Sequence, residues 1–395
     1  MQDRPKILTM VNFYFPGYKA GGSLRTISNM VDHLSDDFEF WLITRDRDLG
    51  DEQPYTSVNI NEWNRVGKAM VFYASPYQLT FSGLKDLINK TQHDILYLNG
   101  FFDPKLTLIP LLLQFRGKLP DKPIVLAPRG EFSQGALALK RLKKTIYIKV
   151  VRLFGLYDNL IWQASSEHES EDIRREFNVK QQDIHIALDL PTKTFIKDIQ
   201  NKNSQKNLNT LHVIFLSRIS PMKNLDYALR ILGKVKKSII FDIYGPIEDK
   251  AYWEKCQALL ELLPNNIKIN YCGSVLSEQV PFVFAQYDLF FLPTRGENYG
   301  HVIAESLSVG TPVLISDQTP WRNLQKDGLG WDIGLEDINE FVRILELYAL
   351  KTLDEKRDMR KHICQKVLER LTSTEVLDAN RQLFYKCIQK QKRKQ

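Results

Sequence analysis

The feature that most constrains the fold is a repeated change of hydrophobic period. Short, unbroken apolar runs alternate with amphipathic helical patterns almost from end to end. In the first half the runs are KILTMVNF, FEFWLIT, DILYLNG, PIVLAP and NLIWQAS. In the second half they are LHVIFLS, SIIFDIYG, IKINYCG, DLFFLP and PVLIS. A strand with one face in water alternates polar and apolar residues. These runs do not alternate, so both faces are buried, which requires parallel sheets covered by helices. Strands that alternate with helices predict an α/β fold of doubly wound architecture.

Length sets the number of sheets. A chain of 395 residues is long for one core and comfortable for two. The alternation fails once, in DLPTKTFIKDIQNKNSQKNLNT, which is rich in Lys, Asn, Gln and Thr and lacks a strong apolar period. It predicts a crossing between two Rossmann-like halves. The expected division is a first domain over 1–190, a linker over 191–210 and a second domain over 211–372. A basic helix over 373–395 is expected to pack back on the first domain. No repeat of solenoid period is present.

Several classes are disfavoured. Cys256, Cys272, Cys364 and Cys387 have no C-x-x-C or Cys/His spacing, which argues against a zinc site or a disulfide framework and fits a reducing cytosol. The opening MQDRPKILTMVNFYFPG reads as a first strand, not a signal peptide. The longest apolar run, LTLIPLLLQF, is too short to span a bilayer. The formal net charge of +7 suits an anionic partner, and it also suits plain solubility.

Three stretches carry chemistry. In YFPGYKAGGSLRTISNM, Gly17, Gly21 and Gly22 lie between a strand and a helix, where a backbone can approach an anion at the helix N-terminus. The spacing is not G-x-G-x-x-G, and an ordinary βα turn would use the same glycines. In LHVIFLSRISPMKNLDYALRIL, Arg218 and Lys223 follow the carboxyl end of a strand, where open α/β sheets bind ligands. A forked guanidinium and a point-like ammonium suit a diphosphate, although two solvated loop cations would read the same. In DLFFLPTRGENYGHVIAESLSVGTPVLIS, a strand, a turn and a short helix ending at Gly310 place Glu297 in the loop and Glu305 on the helix. Carboxylates there accept hydrogen bonds from sugar hydroxyls. Taken singly, Glu297 is a solvated turn acid and Glu305 a carboxylate near a helix N-terminus.

Together these residues resemble a known family. RGENYGHVIAESLSVGTPVLISDQTPW is similar to the E-x7-E segment of retaining family 4 glycosyltransferases with the GT-B fold, and SRISPMKN resembles that family's Arg…Lys diphosphate clamp. The resemblance covers most of the chain and is strongest over 211–322. It implies two Rossmann-like doubly wound domains facing across a cleft, and transfer of a sugar from a nucleotide-diphosphate donor without a metal or other cofactor. Arg218 and Lys223 would hold the diphosphate, Glu305 the ribose, and Glu297 with Asn298, Tyr299 and Gly300 the sugar. Gly21 and Gly22 would close over the phosphates.

One departure concerns the acceptor side. Many family members carry a histidine where this chain has Asn99, in DILYLNGFF. APRGEFSQGALALK, with Arg129 and Glu131, resembles a subgroup that makes bacterial surface polysaccharides. This resemblance implies a saccharide acceptor, such as a lipid-linked one in O-antigen or capsule assembly, at the inner face of the plasma membrane. His168, in SSEHESED, is an alternative acceptor-side group, although a histidine at a helix start is commonly structural. Asp46 and Asp48 form a D-x-D, but neighbouring arginines would compete with a metal there. Rival readings are a nucleotide-sugar epimerase, a two-carboxylate glycosidase and a non-catalytic sugar- or lipid-binding module. No nucleic-acid partner is expected.

The stretch ALALKRLKKTIYIKVVRLFGLYDN predicts an amphipathic helix. Leu139, Leu142, Ile146, Val150 and Leu153 would pack on the domain's own sheet, with Lys140, Arg141, Lys144, Lys149 and Arg152 on the opposite face toward an anionic membrane.

Overall fold

The computed structural model describes residues 4–192, 210–371 and 374–392. The chain divides into two compact units, Met1–Lys193 with Ser373–Gln395, and Thr194–Thr372. Apart from its ends, the expected linker 191–210 lies outside the described residues, as do 393–395.

The first unit holds an eight-stranded sheet: β1 Lys6–Met10, β2 Glu39–Arg45, β3 Trp63–Val66, β4 Ala69–Ala74, β5 Ile95–Asn99, β6 Ile124–Ala127, β7 Ile161–Ala164 and β8 Ile184–Ile186. The order is β3-β4-β2-β1-β5-β6-β7-β8. Only β3 runs antiparallel, against β4. The second unit holds six parallel strands: β9 Leu211–Leu216, β10 Ile239–Tyr244, β11 Ile267–Gly273, β12 Leu289–Leu292, β13 Val313–Ser316 and β14 Gly330–Ile333. Their order is β11-β10-β9-β12-β13-β14. The direction of winding reverses between β1 and β5, and between β9 and β12. Those two points open a crevice at the carboxyl edge of each sheet.

Each of the ten apolar runs read above as strands forms one, while LTLIPLLLQF is helical. Four strands escape that reading: β3, β4, β8 and β14. β3 is a half-exposed edge strand, WNRV, and β8 and β14 are three and four residues long. Such segments carry too little apolar sequence to stand out.

Packing fixes the site-bearing edges. Phe101, fully buried just past β5, meets the rings of Tyr157, Phe132, Phe177, Tyr147 and Trp162 at centroid distances of 4.6, 4.7, 5.2, 5.6 and 6.4 Å. Such pairs contribute about 0.5–1.5 kcal/mol each beyond burial, so the turn that follows Asn99 is firmly anchored. The C-terminal helix Thr374–Lys392 joins the first unit's core. Its Leu383, Phe384 and Cys387 are buried, with Phe384 at 5.3 Å from the Phe38 ring. Arg381 Nε donates to Asp37 at 2.8 Å.

The helix Arg141–Leu153 corrects an expectation. Leu142, Ile146, Val150 and Leu153 are exposed, while Ile148 and Val151 pack on the sheet. Lys144 faces inward, donating from Nζ to the Ala136 carbonyl at 2.7 Å and lying 4.9 Å from the Phe102 ring centre. The apolar stripe legible in the sequence is therefore the outer face. The packing face is mixed, which a search for the strongest stripe passes over.

Candidate active site

The switch point of the second sheet gathers the residues the sequence singled out there. The backbone beyond β9 is pinned to the end of β10: Ser217 N–H donates to the Tyr244 carbonyl at 3.0 Å and Ile219 N–H to that of Pro246 at 2.9 Å. Gly245 permits this approach. Its φ is +138°, and a Cβ there would lie 1.9 Å from the Ser217 carbonyl oxygen. Arg218, on this strap, donates to Glu248 Oε1 at 2.6 Å.

Asn224 stitches the loop after β9 to the loop after β12. It sits at φ +61° and caps the helix Leu225–Leu232. Its Nδ2 donates to the Pro293 carbonyl at 2.9 Å, and its Oδ1 accepts from Arg295 Nε at 3.0 Å. Met222 strengthens the seam by accepting from Arg295 N–H at 2.8 Å and Thr294 Oγ1 at 3.1 Å. Between the two loops Lys223 Nζ donates to Glu297 Oε1, with side chains 12% and 11% exposed. The sequence assigned these two to different parts of one ligand; the structure pairs them.

The rest of the loop is set by Trp321, whose Nε1 donates to the Tyr299 carbonyl at 2.6 Å. The buried Tyr299 ring lies 4.7 Å from His301 and 6.1 Å from Trp321. Gly300, at φ +75°, begins the helix His301–Ser308 and provides no capping side chain. The positive end of a helix attracts an anion. Asn298 is half-buried in the loop and Glu305 half-buried on the helix. Strand–loop–helix geometry thus brings a cation pair, a carboxylate and a helix N-terminus to one sheet edge.

At the first unit's carboxyl edge the structure redistributes roles. Arg129, at φ +59° beyond β6, is an internal tie. Its guanidinium donates to Asp189, to the Tyr97 hydroxyl and, from Nε, to Asn99 Oδ1 at 2.7 Å. The Arg129 and Asp189 side chains are 9% and 1% exposed. Asp189 also accepts from Thr26 Oγ1 at 2.8 Å, reaching the helix that follows the glycine loop. Tyr97 donates to Gln163 Oε1 at 2.7 Å. Arginine has only donors, so Asn99 must turn its oxygen to it and its amide NH2 away. Asn99 is therefore a donor group and does not stand in for the base a histidine would supply. Arg129 thus orients Asn99, a duty that its reading as an acceptor-side residue did not include.

Glu131 also has a structural duty. It accepts from the Phe101 and Phe102 N–H groups, the latter at 3.0 Å, and so holds the turn after Asn99. Burial pushes its carboxyl up to about 7 against the pull of those N–H groups and of Lys144. His168 lies exposed on the helix Glu167–Glu176. Its buried neighbour Glu169 accepts from Ser165 N–H and Oγ, both at 2.7 Å, and from Gly130 N–H. Burial raises its carboxyl too, opposed by those hydrogen bonds and by Arg129. The D-x-D also has structural duties. Asp46 pairs with Arg47 at 2.8 Å, and Asp48 accepts from Tyr18 and Lys19 N–H at 2.8 and 3.1 Å. Asp48 thereby shapes the glycine loop, where Gly21 at φ +66° caps the helix Gly22–Leu34.

Asp189, Glu169, Tyr97 and Thr26 were not singled out from the sequence. Asp189 offers one signal, an acid between leucines in ALDLPT just after a short strand. Glu169 is hidden in the acidic run EHESED.

Comparison with known proteins places this geometry. Residues 196–363 match the sequence model described as Glycosyl transferases group 1. An uncharacterized 41.2 kDa protein in the cps region of Klebsiella pneumoniae is 23% identical over 227 residues, 55% of this chain and 60% of that protein. The O-antigen chain mannosyltransferase B of Escherichia coli is 26% identical over 114 residues, 27% of this chain and 29% of that protein. The chain thus spans less than two thirds of either relative. Among solved structures, Anabaena Alr3699/HepE in complex with UDP and glucose superposes with a TM-score of 0.70 at 15% identity, over 97% of this chain and 99% of that one. The chain therefore has the GT-B fold, two parallel-sheet α/β units, with the group 1 glycosyl transferase pattern running through residues 196–363.

Proposed function

We propose that the protein is a retaining, metal-independent glycosyltransferase. It moves a hexose from a nucleotide-diphosphate-sugar to a hydroxyl of a lipid-linked saccharide in surface-polysaccharide assembly. The observation that carries this reading is the second sheet's switch point, whose carboxyl edge carries Arg218, the Lys223–Glu297 pair and the start of the helix His301–Ser308. The cps-region and O-antigen relatives support the surface-polysaccharide setting. The UDP held by the Anabaena neighbour makes uridine nucleotides the first donors to try.

In this reading the diphosphate settles against Arg218, Lys223 and the start of the helix His301–Ser308. The fixed charges and dipoles stabilise the negative charge that grows on the leaving group. Lys223 is then shared with the diphosphate, and Glu297 turns its carboxylate to the sugar hydroxyls. Glu305 takes the ribose hydroxyls, and the backbone around Asn298, Tyr299 and Gly300 takes the sugar. The acceptor hydroxyl attacks the anomeric carbon as its bond to the diphosphate breaks, and passes its proton to a diphosphate oxygen. The catalysis takes place in the cytoplasm, at the membrane's inner face.

The test is incubation with a panel of nucleotide sugars and lipid-linked saccharides, read by mass spectrometry and by the anomeric configuration of the product. A product with the donor's configuration, formed without added metal, is expected. An epimerised donor formed without any acceptor overturns the transferase reading.

A further inference from the structure

We propose that the outer face of the helix Arg141–Leu153 docks on an anionic lipid bilayer, with its aliphatic stripe entering the boundary between headgroups and acyl chains. The stripe is Leu142, Ile146, Val150 and Leu153, at 76%, 54%, 46% and 83% exposure, and Phe154 follows at 64%. The spacing i, i+4, i+8, i+11 sets these side chains in one row. Single exposed leucines need no explanation, but a continuous row of large apolar side chains marks an interaction surface. The helix has already satisfied its own unit through Ile148 and Val151, and Lys144 is tied inward. Nothing further in the first unit's fold calls for the outer row.

Charge selects the occupant. Arg141, Lys143, Lys149 and Arg152 are exposed on the same helix, and no acidic residue occurs between Phe132 and Leu156. A row of aliphatic groups bordered by cations matches hydrocarbon lying beneath a layer of phosphates. Symmetric pairing with a second copy would bury the same aliphatic row but set these cations against their own equivalents. Among the described residues no helix is long and apolar enough to cross a membrane, so the contact is one of a helix lying flat.

The inference stands apart from the donor site, and its test is separable from it. The purified full chain is sedimented with mixed phosphatidylglycerol–phosphatidylcholine vesicles and with phosphatidylcholine alone. Binding to the mixed vesicles alone, weakened by salt, is expected. The variant carrying Leu142→Ser, Ile146→Ser and Val150→Ser keeps every cation yet should lose about tenfold or more in vesicle affinity. K143E with K149E should lose binding to the mixed vesicles as well. Both variants should retain the wild-type melting temperature and UDP-induced thermal shift, because the altered positions are exposed and belong to the first unit. Equal binding to both vesicle types, or serine substitutions without effect, overturns the insertion. A dimer in solution that the serine variant dissociates, without vesicle binding by either form, overturns it in favour of a self-association surface. Absence of vesicle binding by the wild type beside an intact UDP shift sinks this inference alone and leaves the transferase reading standing.

Discussion

The Lys223–Glu297 pair gives the sharpest handle on the donor site before any substrate is known. At 12% and 11% exposure the pair lies between two measured regimes. Exposed pairs contribute about 0–1 kcal/mol, and removing one partner of a buried pair costs roughly 3–5 kcal/mol. Glu297→Gln and Lys223→Met should therefore each destabilise the second unit by about 2 kcal/mol. For a unit of that size this lowers the melting temperature by roughly 4–8 °C. The double variant should cost less than the sum of the two, with a coupling of about 1–2 kcal/mol. The assay is urea unfolding of the four proteins of the cycle, with their melting temperatures taken with and without UDP. A diphosphate supplies the anion that Glu297→Gln removes, so UDP should raise the melting temperature of that variant by more than it raises the wild type. In Lys223→Met the UDP effect should shrink. Strict additivity, or a UDP shift that ignores Lys223, would refute the reasoning that this lysine is held ready for a phosphate.

Other expectations follow from the same structure. Asp189→Asn leaves Arg129 buried without its counter-charge and should destabilise the first unit by about 3 kcal/mol in urea, with no effect on the second. Glu131 has a folded-state value raised by burial from 4.5 to about 7, so its contribution to stability is present below 4.5 and lost as pH climbs through 7. Wild type should lose up to roughly 3 kcal/mol between pH 4.5 and 8 relative to Glu131→Gln, measured as melting temperature against pH; parallel profiles would contradict this. Gly245→Ala forces a Cβ to within 1.9 Å of the Ser217 carbonyl and should unfold or markedly destabilise the second unit, read by calorimetry.

How much of this was legible in the sequence depended on the reach of each interaction. Strands buried on both faces announce themselves by unbroken apolar runs, so both sheets could be read. The loop after β12 was legible because Glu297, Gly300 and Glu305 lie within one contiguous stretch. The pairing of Lys223 with Glu297 crosses 74 residues, and no local pattern encodes it. The tie from Arg129 to Asp189 crosses 60 residues and depends on the turn after β6 taking up φ +59°. The helix Arg141–Leu153 shows a different limit. A helical wheel finds a stripe, but the partner of that stripe is decided by the shape of the sheet beneath, which here accepts Ile148, Val151 and the stem of Lys144. Contradiction of local hydrophobic logic was the mark of an outward-facing surface.

The central claim is that this chain holds a nucleoside diphosphate through Arg218 and Lys223. Isothermal titration of the wild type, Arg218→Ala and Lys223→Ala with UDP, GDP and ADP tests it most directly. One nucleotide should bind the wild type, and each substitution should weaken it by about 1–3 kcal/mol, the range of a charged hydrogen bond. Failure of all three nucleotides to bind, or affinity unchanged in both variants, would contradict the account.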